Sequence, residues 1–252
     1  MLVHFSPPLL SASQRVLILM SSLDFLALNL DQRLLRAIAD LGWERPTEIQ
    51  EVVIPLVFEK KSLLIHARTG SGKTAAFAIP LVEEILKSKQ LQSEQFIYAL
   101  ILAPTKELCS QVNKTLQCLC KYTSKNISFV DISQHDNTEV LKPFLANSPD
   151  IIIGTPSRLL AHARSHHFAV DRLKFVVIDE ADLMVTFGYQ DEMKDLKTFL
   201  PHSLQVILLS ATLHETTKAL RNCLVSRGEW IKVELPEDSF LPSSSQLTQY
   251  II

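Results

Sequence analysis

From residue 62 onward, short apolar runs alternate with longer stretches in which apolar residues recur every three or four positions. The runs SLLIHA (62–67), IYALILA (97–103), ISFVDIS (127–133), DIIIG (150–154), LKFVVID (173–179), QVILLS (205–210) and WIKVEL (230–235) have strand length. Several are apolar at consecutive positions, the mark of strands buried on both faces. Between most of them lie segments of helical spacing, among them Thr74–Leu86, Lys106–Leu119 and Gln190–Leu200. This alternation predicts an α/β domain built on a doubly wound parallel sheet. Ligands of such sheets sit at the carboxyl ends of the strands. Upstream, Asp31–Leu41 has helical spacing, with Gly42 just beyond it as a C-cap. No internal repeat is visible.

The 252 residues allow one large domain or two small ones, and 47% hydrophobic content is ample for a core. A net charge of −2 gives no basic field over the whole surface, so contacts to a nucleic acid would be local. Cys109, Cys118, Cys120 and Cys223 form no CxxC pair and no zinc spacing, and read as reduced thiols. The adjacent His166 and His167 read as solvated side chains, not metal ligands. No stretch approaches the ~18 apolar residues of a membrane helix. Residues 1–22 hold an apolar run too short for a signal-peptide core and no Lys or Arg before Arg15. They read as a flexible leader, with Met20 as an alternative start. The Ser- and Pro-rich stretch 236–252 reads as the start of a linker.

Chemistry enters at HARTGSGKT, residues 66–74, which follows the first strand and opens a helix. That is the context a phosphate-binding P-loop requires. Gly70 and Gly72 permit the dihedrals that turn backbone N–H groups toward phosphate oxygens, and the helix N-terminus adds its positive dipole end. Ala67, Arg68, Thr69, Gly70, Ser71, Gly72, Lys73 and Thr74 form the candidate nucleotide loop, with Ala67 where the usual pattern has Gly. Lys73 reaches the β- and γ-phosphates and Thr74 ligates Mg²⁺. An acidic group is then needed at the end of a neighbouring strand. VVIDEADLMV (176–185) supplies three carboxylates in four positions. Asp179 fits the Mg²⁺ role, and Glu180 can orient or deprotonate the attacking water.

DEAD at 179–182 together with ARTGSGKT at 67–74 resembles the DEAD-box RNA helicases. SAT at 210–212, PTKEL at 104–108 (with Lys106 in place of an arginine), TPSR at 155–158 and GWERPTEIQ at 42–50 resemble further motifs of that family, in order, over roughly residues 23–235. Phe25 stands 17 positions before Gly42, where the family has an aromatic residue. The resemblance implies a RecA-like P-loop domain, the first of two in a helicase core. It divides the chain into a leader (1–22), a Q-motif segment (23–50), an ATP-binding domain (51–235) and the linker start (236–252). It implies that Gln50 reads the adenine edge and Phe25 stacks on the ring. Ser210, Ala211 and Thr212, with Asp182, would couple nucleotide state to RNA grip. Pro104, Thr105, Lys106, Thr155, Pro156 and Arg158 would contact phosphates and sugars, which carry no base identity. Taken alone, Phe25 reads as core, and its position relative to Gln50 is what reverses that reading; PTKEL and TPSR alone read equally as helix starts capped by threonine.

The cofactors implied are ATP and Mg²⁺. The partners implied are RNA, a second RecA-like domain in cis or in trans, and pre-ribosomal proteins. The wording of several motifs looks most similar to a nucleolar branch acting in large ribosomal subunit assembly, which implies a nuclear, nucleolar location and rRNA processing. No stretch after residue 235 is long enough for a second domain. Lacking its arginine finger, the chain alone is expected to bind ATP weakly, hydrolyse it slowly and unwind nothing. The other reading is a non-catalytic RNA- and ATP-binding module that competes with a full-length helicase. One departure stands out. Between PTKEL and TPSR the family usually carries a Gly-Gly turn against the RNA backbone, whereas DISQHDNTEVL contains no glycine. Strand grip is therefore expected to be weaker or built differently.

Overall fold

The structure is a computed structural model that describes residues 24–91, 94–135, 137–212, 220 and 230–234. The leader 1–22 with Met20, Cys223 and the stretch 236–252 lie outside the described residues. After a 3₁₀ turn at Phe25–Leu28 come α1 (Gln32–Asp40), α2 (Glu48–Phe58), β1 (Ser62–His66), α3 (Lys73–Leu91) and β2 (Ala99–Leu102). Then follow α4 (Lys106–Leu119), β3 (Phe129–Asp131), α5 (Thr138–Ala146), β4 (Ile151–Gly154), α6 (Pro156–Arg164) and β5 (Phe175–Ile178). The remaining elements are α7 (Ala181–Thr186), α8 (Gln190–Lys197), β6 (Gln205–Ser210) and β7 (Trp230–Glu234).

The seven strands form one parallel sheet in the order β3-β4-β2-β5-β6-β1-β7. From β1 the chain steps toward β2 and then β3 at one edge, then reverses through β4, β5 and β6. Crossovers between parallel strands are right-handed, so the reversal puts the helices of the two legs on opposite faces. Helices α1–α4 accordingly pack with Leu63, Ile65, Ile101, Ile153, Val177 and Leu209 on one face. Helices α5–α8 pack with Leu64, Leu100, Ile152, Val176 and Leu208 on the other. Successive strand residues point to opposite faces, so both cores draw on the same strands. Strands β2, β4, β5 and β6 are buried at every position, which is why their sequences are continuously apolar.

The seven strands appear where the apolar runs predict them, β6 with the predicted bounds and the others trimmed at their ends. Gly42 has φ +71° just past α1, the left-handed conformation that suits glycine beyond a helix end. α2 was not legible as a helix: EIQEVVIPLVF is apolar nearly all round and contains Pro55. His167 corrects an expectation. His166 is exposed, but His167 is 8% exposed, with Nδ1 3.1 Å from Nδ1 of the buried His162 and Nε2 3.3 Å from a Glu139 carboxylate oxygen. Burial pushes His162 down to about 4, so this dyad carries no charge on His162 at neutral pH. No cluster of His, Cys, Asp and Glu among the described residues could hold a metal ion. Cys109, Cys118 and Cys120 are free thiols, and burial pushes Cys109 up to about 12 and Cys120 up to about 11, so both are packed and inert.

Gly154 ends β4 where a Cβ would lie 2.7 Å from Ile132 Cγ1. Gly154→Ala is expected to cost about 1–3 kcal/mol in urea unfolding, the scale of core overpacking. Ile132→Ala in the same background is expected to cost less than the two single changes added together. Additive costs would contradict the clash.

Candidate functional site

The P-loop leaves β1 at the carboxyl edge and closes into α3. Gly70 and Gly72 have φ +83° and +94°, so both hold conformations that a side chain would strain. Ala67 is buried and its N–H donates to the Ser210 carbonyl at 3.2 Å, which fixes the loop's base to the end of β6. The Arg68 carbonyl accepts the Ser71 hydroxyl at 2.8 Å. Thr69 and Gly70 are exposed at the loop's tip, and Thr74 is half-buried in the first turn of α3.

Lys73 is 5% exposed, and its Nζ lies 3.0 Å from Glu180 Oε1. The angles do not make that contact a hydrogen bond, and Nζ has no hydrogen-bond partner among the described residues. A buried ammonium in that state is costly, and phosphate oxygens are the acceptors that would satisfy it. Asp179 follows the last residue of β5 and is 6% exposed. Burial first, and then the neighbouring Glu180 charge, push its carboxyl up to about 6. Its Oδ1 accepts the Glu180 N–H at 3.0 Å. Glu180 has φ 49°, a left-handed conformation that costs a non-glycine residue about 1–3 kcal/mol and persists where the surroundings enforce it. Two carboxylates thus face one lysine. Thr74 and Asp179 offer the hard oxygen donors that Mg²⁺ prefers, and the buried excess of negative charge fits a cation there.

The SAT segment lies between these two parts, because β6 separates β5 from β1. Ser210 is fully buried, its hydroxyl donates to Thr212 O at 2.6 Å, and the Thr212 hydroxyl donates to Asp182 Oδ2 at 3.0 Å. Asp182 therefore joins the SAT segment rather than the P-loop. The Ala211 carbonyl lies 2.8 Å from His66 Nε2.

Gln50 is 4% exposed and ties α2 to the P-loop. Its Oε1 accepts the Thr47 N–H at 3.1 Å, and its Nε2 donates to the Gly72 carbonyl at 3.2 Å. Each amide atom keeps one further valence, the pair an adenine edge requires. Phe25 is 3% exposed and packs in the core with α1 and α2. No full face of its ring is open, so the core alternative describes Phe25 in this arrangement.

On the opposite side of β5 both segments start helices, but only Thr105 caps its helix through the side chain, and Thr155 makes no such hydrogen bond. Thr105 caps α4, its hydroxyl accepting the Leu108 N–H at 3.3 Å, and Lys106 is exposed. Thr155 is the N-cap residue of α6, with the buried Pro156 as its first residue and Arg158 half-buried one turn in. Two helix N-termini thus open at the same sheet edge, each suited to an anion. Pro104 is buried, and its carbonyl accepts the Tyr189 hydroxyl at 3.3 Å. His66, Tyr189 and Gln134, whose amide reaches Lys106 O at 3.1 Å, were missed by sequence reasoning, since each acts across the fold.

A sequence model described as DEAD/DEAH box helicase matches residues 47–220. The chain is 44% identical over 225 residues to the ATP-dependent RNA helicase dbp9 of Schizosaccharomyces pombe, covering 89% of this chain and 37% of that protein. It is 38% identical over 239 residues to the ATP-dependent RNA helicase DBP9 of Saccharomyces cerevisiae strain YJM789, covering 92% and 40%. A solved DEAD box protein from the hyperthermophile Methanococcus jannaschii superposes with a TM-score of 0.74 at 33% identity, over 84% of this chain and 56% of that one. A dbp5 variant of S. cerevisiae bound to gle1 and ip6 gives 0.73 at 28% identity. The chain spans two fifths or less of the length of these curated relatives.

A Cβ on Gly72 would lie 2.5 Å from Gln50 Nε2 and 2.9 Å from the Thr47 hydroxyl. Gly72→Ala is therefore expected to lower nucleotide affinity at least tenfold in a fluorescent-nucleotide titration; unchanged affinity would contradict this loop geometry. The raised Asp179 pKa fixes a pH dependence. The proton is favoured below about 6, so this group's contribution to the stability of the unliganded fold is full below the ordinary carboxylate pKa and is lost as pH rises through 6. A metal ion needs the deprotonated form, so Mg²⁺-dependent nucleotide binding is expected to weaken as pH falls from 7 to 5 while Mg²⁺-free binding changes less.

Proposed function

The chain belongs to the DEAD/DEAH box helicase family, and on that premise we propose that it is the ATP-binding lobe of an RNA-dependent ATPase and ATP-dependent RNA helicase. The observation that carries the proposal is the buried Lys73 with no hydrogen-bond partner, set 3.0 Å from Glu180 beside a protonation-prone Asp179. Incoming phosphates would draw Lys73 away from Glu180 and free that carboxylate to orient a water molecule. Mg²⁺, held by Thr74 and Asp179, would supply charge neutralisation at the phosphates. Gln50 would then select adenine with the donor and acceptor that it does not spend on Thr47 and Gly72.

Movement at the phosphates reaches the RNA side through the chain Ser210–Thr212–Asp182, because α7 begins directly after Glu180. PTKEL and TPSR, at the helix N-termini beyond β5, would hold an RNA strand through its backbone, without regard to sequence. A second RecA-like domain, in cis or in trans, would contribute arginines and the other half of the RNA surface. The relatives named dbp9 and the wording of the motifs support placing the whole protein in rRNA processing and large ribosomal subunit assembly, in the nucleolus. No helix among the described residues is long and apolar enough to cross a membrane. The intact Glu180 favours this reading over a non-catalytic module that competes with a full-length helicase.

The test is ATP turnover by the chain, with and without single-stranded RNA. Slow turnover is expected, lost in Glu180→Gln while nucleotide binding is retained. Turnover that persists in Glu180→Gln removes that residue from the mechanism. Binding without any turnover above that variant would favour the non-catalytic module.

A further inference from the structure

The RNA side of the carboxyl edge carries a contact set that the shared motifs do not include. The described part of the turn after β3 has no glycine, and Gln134 occupies it. Gln134 Nε2 lies 3.1 Å from Lys106 O, 3.2 Å from Asp131 Oδ2 and 3.0 Å from Ser133 Oγ. Two amide N–H groups are shared among three acceptors. Asp131 Oδ1 is engaged separately, by the Ser133 N–H at 2.9 Å and the Ser133 hydroxyl at 2.6 Å.

We infer that Gln134 is a positioning residue for an RNA strand: its amide pins the turn after β3 to the Lys106 carbonyl and covers the Asp131 carboxylate. The inference rests on the reading of PTKEL and TPSR as a phosphate track. Asp131 ends β3, in register with Ile153 on β4 and so two residues before Thr155. Its carboxylate therefore stands at the edge where phosphates would run, and an uncovered anion there opposes them. Three donors on its two oxygens, from Ser133 and Gln134, hold that charge into the turn. The same Gln134 amide braces Lys106 O, while Tyr189 braces Pro104 O from the other side. The PTK backbone is thus fixed at two carbonyls by side chains from two different segments. A side-chain brace does here what a close backbone turn would otherwise do.

The test is fluorescence anisotropy of a labelled single-stranded oligouridylate with the full 252-residue chain and ATP. Gln134→Ala is expected to weaken RNA binding about 3- to 10-fold, the scale of one hydrogen bond, with nucleotide affinity unchanged. The loss should shrink as salt rises, because repulsion between charges is screened. Adding Asp131→Asn should restore most of the affinity, since asparagine keeps an acceptor for Ser133 and drops the charge. Gln134→Glu, which keeps the shape and adds a second carboxylate, should bind less tightly than Gln134→Ala. If Arg158→Ala loses RNA affinity while Gln134→Ala and Gln134→Glu do not, the inference is overturned and the track stands. A Gln134→Ala loss that Asp131→Asn does not repair also overturns it. If the unsubstituted chain does not bind the oligomer, the track itself fails and takes the inference with it.

Discussion

All seven strands run in one direction, so every loop that leaves a carboxyl end emerges on one edge of the sheet. The strand order then fixes what stands beside what. The P-loop follows β1, the SAT segment follows β6 and the DEAD segment follows β5, and these three strands are neighbours. PTKEL follows β2, TPSR follows β4 and the Gln134 turn follows β3, and these lie in a row on the other side of β5. With strands about 4.8 Å apart, β1 and β5 are held about 10 Å apart with β6 as the spacer. The P-loop and SAT segments are thus parted at β5 from PTKEL, TPSR and the Gln134 turn, with Asp179 and Glu180 at the strand's tip between them. A shift of β5 against β6 is felt on both sides.

The electrostatics follow from that placement. Lys73, Asp179 and Glu180 are charged groups where little water reaches, and in a low-dielectric setting their mutual terms are large. Burial above all, and then the neighbouring Glu180 charge, raise the Asp179 pKa to about 6, and the single lysine beside them offsets only part of that rise. On the proposed reading, a nucleotide would bring phosphate oxygens for Lys73, and a metal ion would bring a divalent charge for Asp179. The cost of this buried cluster falls on three side chains, one of them in a strained backbone conformation at Glu180. Gly72 joins this cluster to α2, because only a residue without a Cβ leaves room for the Gln50 amide.

The strands were legible because continuous apolar runs have few other uses in a chain of this length. Helices with a polar face, such as α4, were legible for the same reason, and α4 matches its predicted bounds. α2 hid because its apolar residues run nearly all round the helix and Pro55 interrupts it, and α7 because six residues carry too little periodicity. The P-loop and the acidic strand end could be read because their chemistry is local in sequence. The links between them could not. Gln50 reaches Gly72 across 22 positions, Tyr189 reaches Pro104 across 85, and His66 reaches Ala211 across 145. His167 misled for the opposite reason: its neighbours in sequence say nothing of the fold that buries it.

The central question is whether the buried Lys73 is held ready for phosphate. The most direct measurement is a calorimetric titration of Mg²⁺·ATP into the chain and into Lys73→Ala, with thermal unfolding of both to confirm that they fold alike. The account predicts saturable binding that is lost in Lys73→Ala and that weakens when Mg²⁺ is removed. Equal binding by the two proteins would contradict it, and so would a chain that folds but takes up no nucleotide.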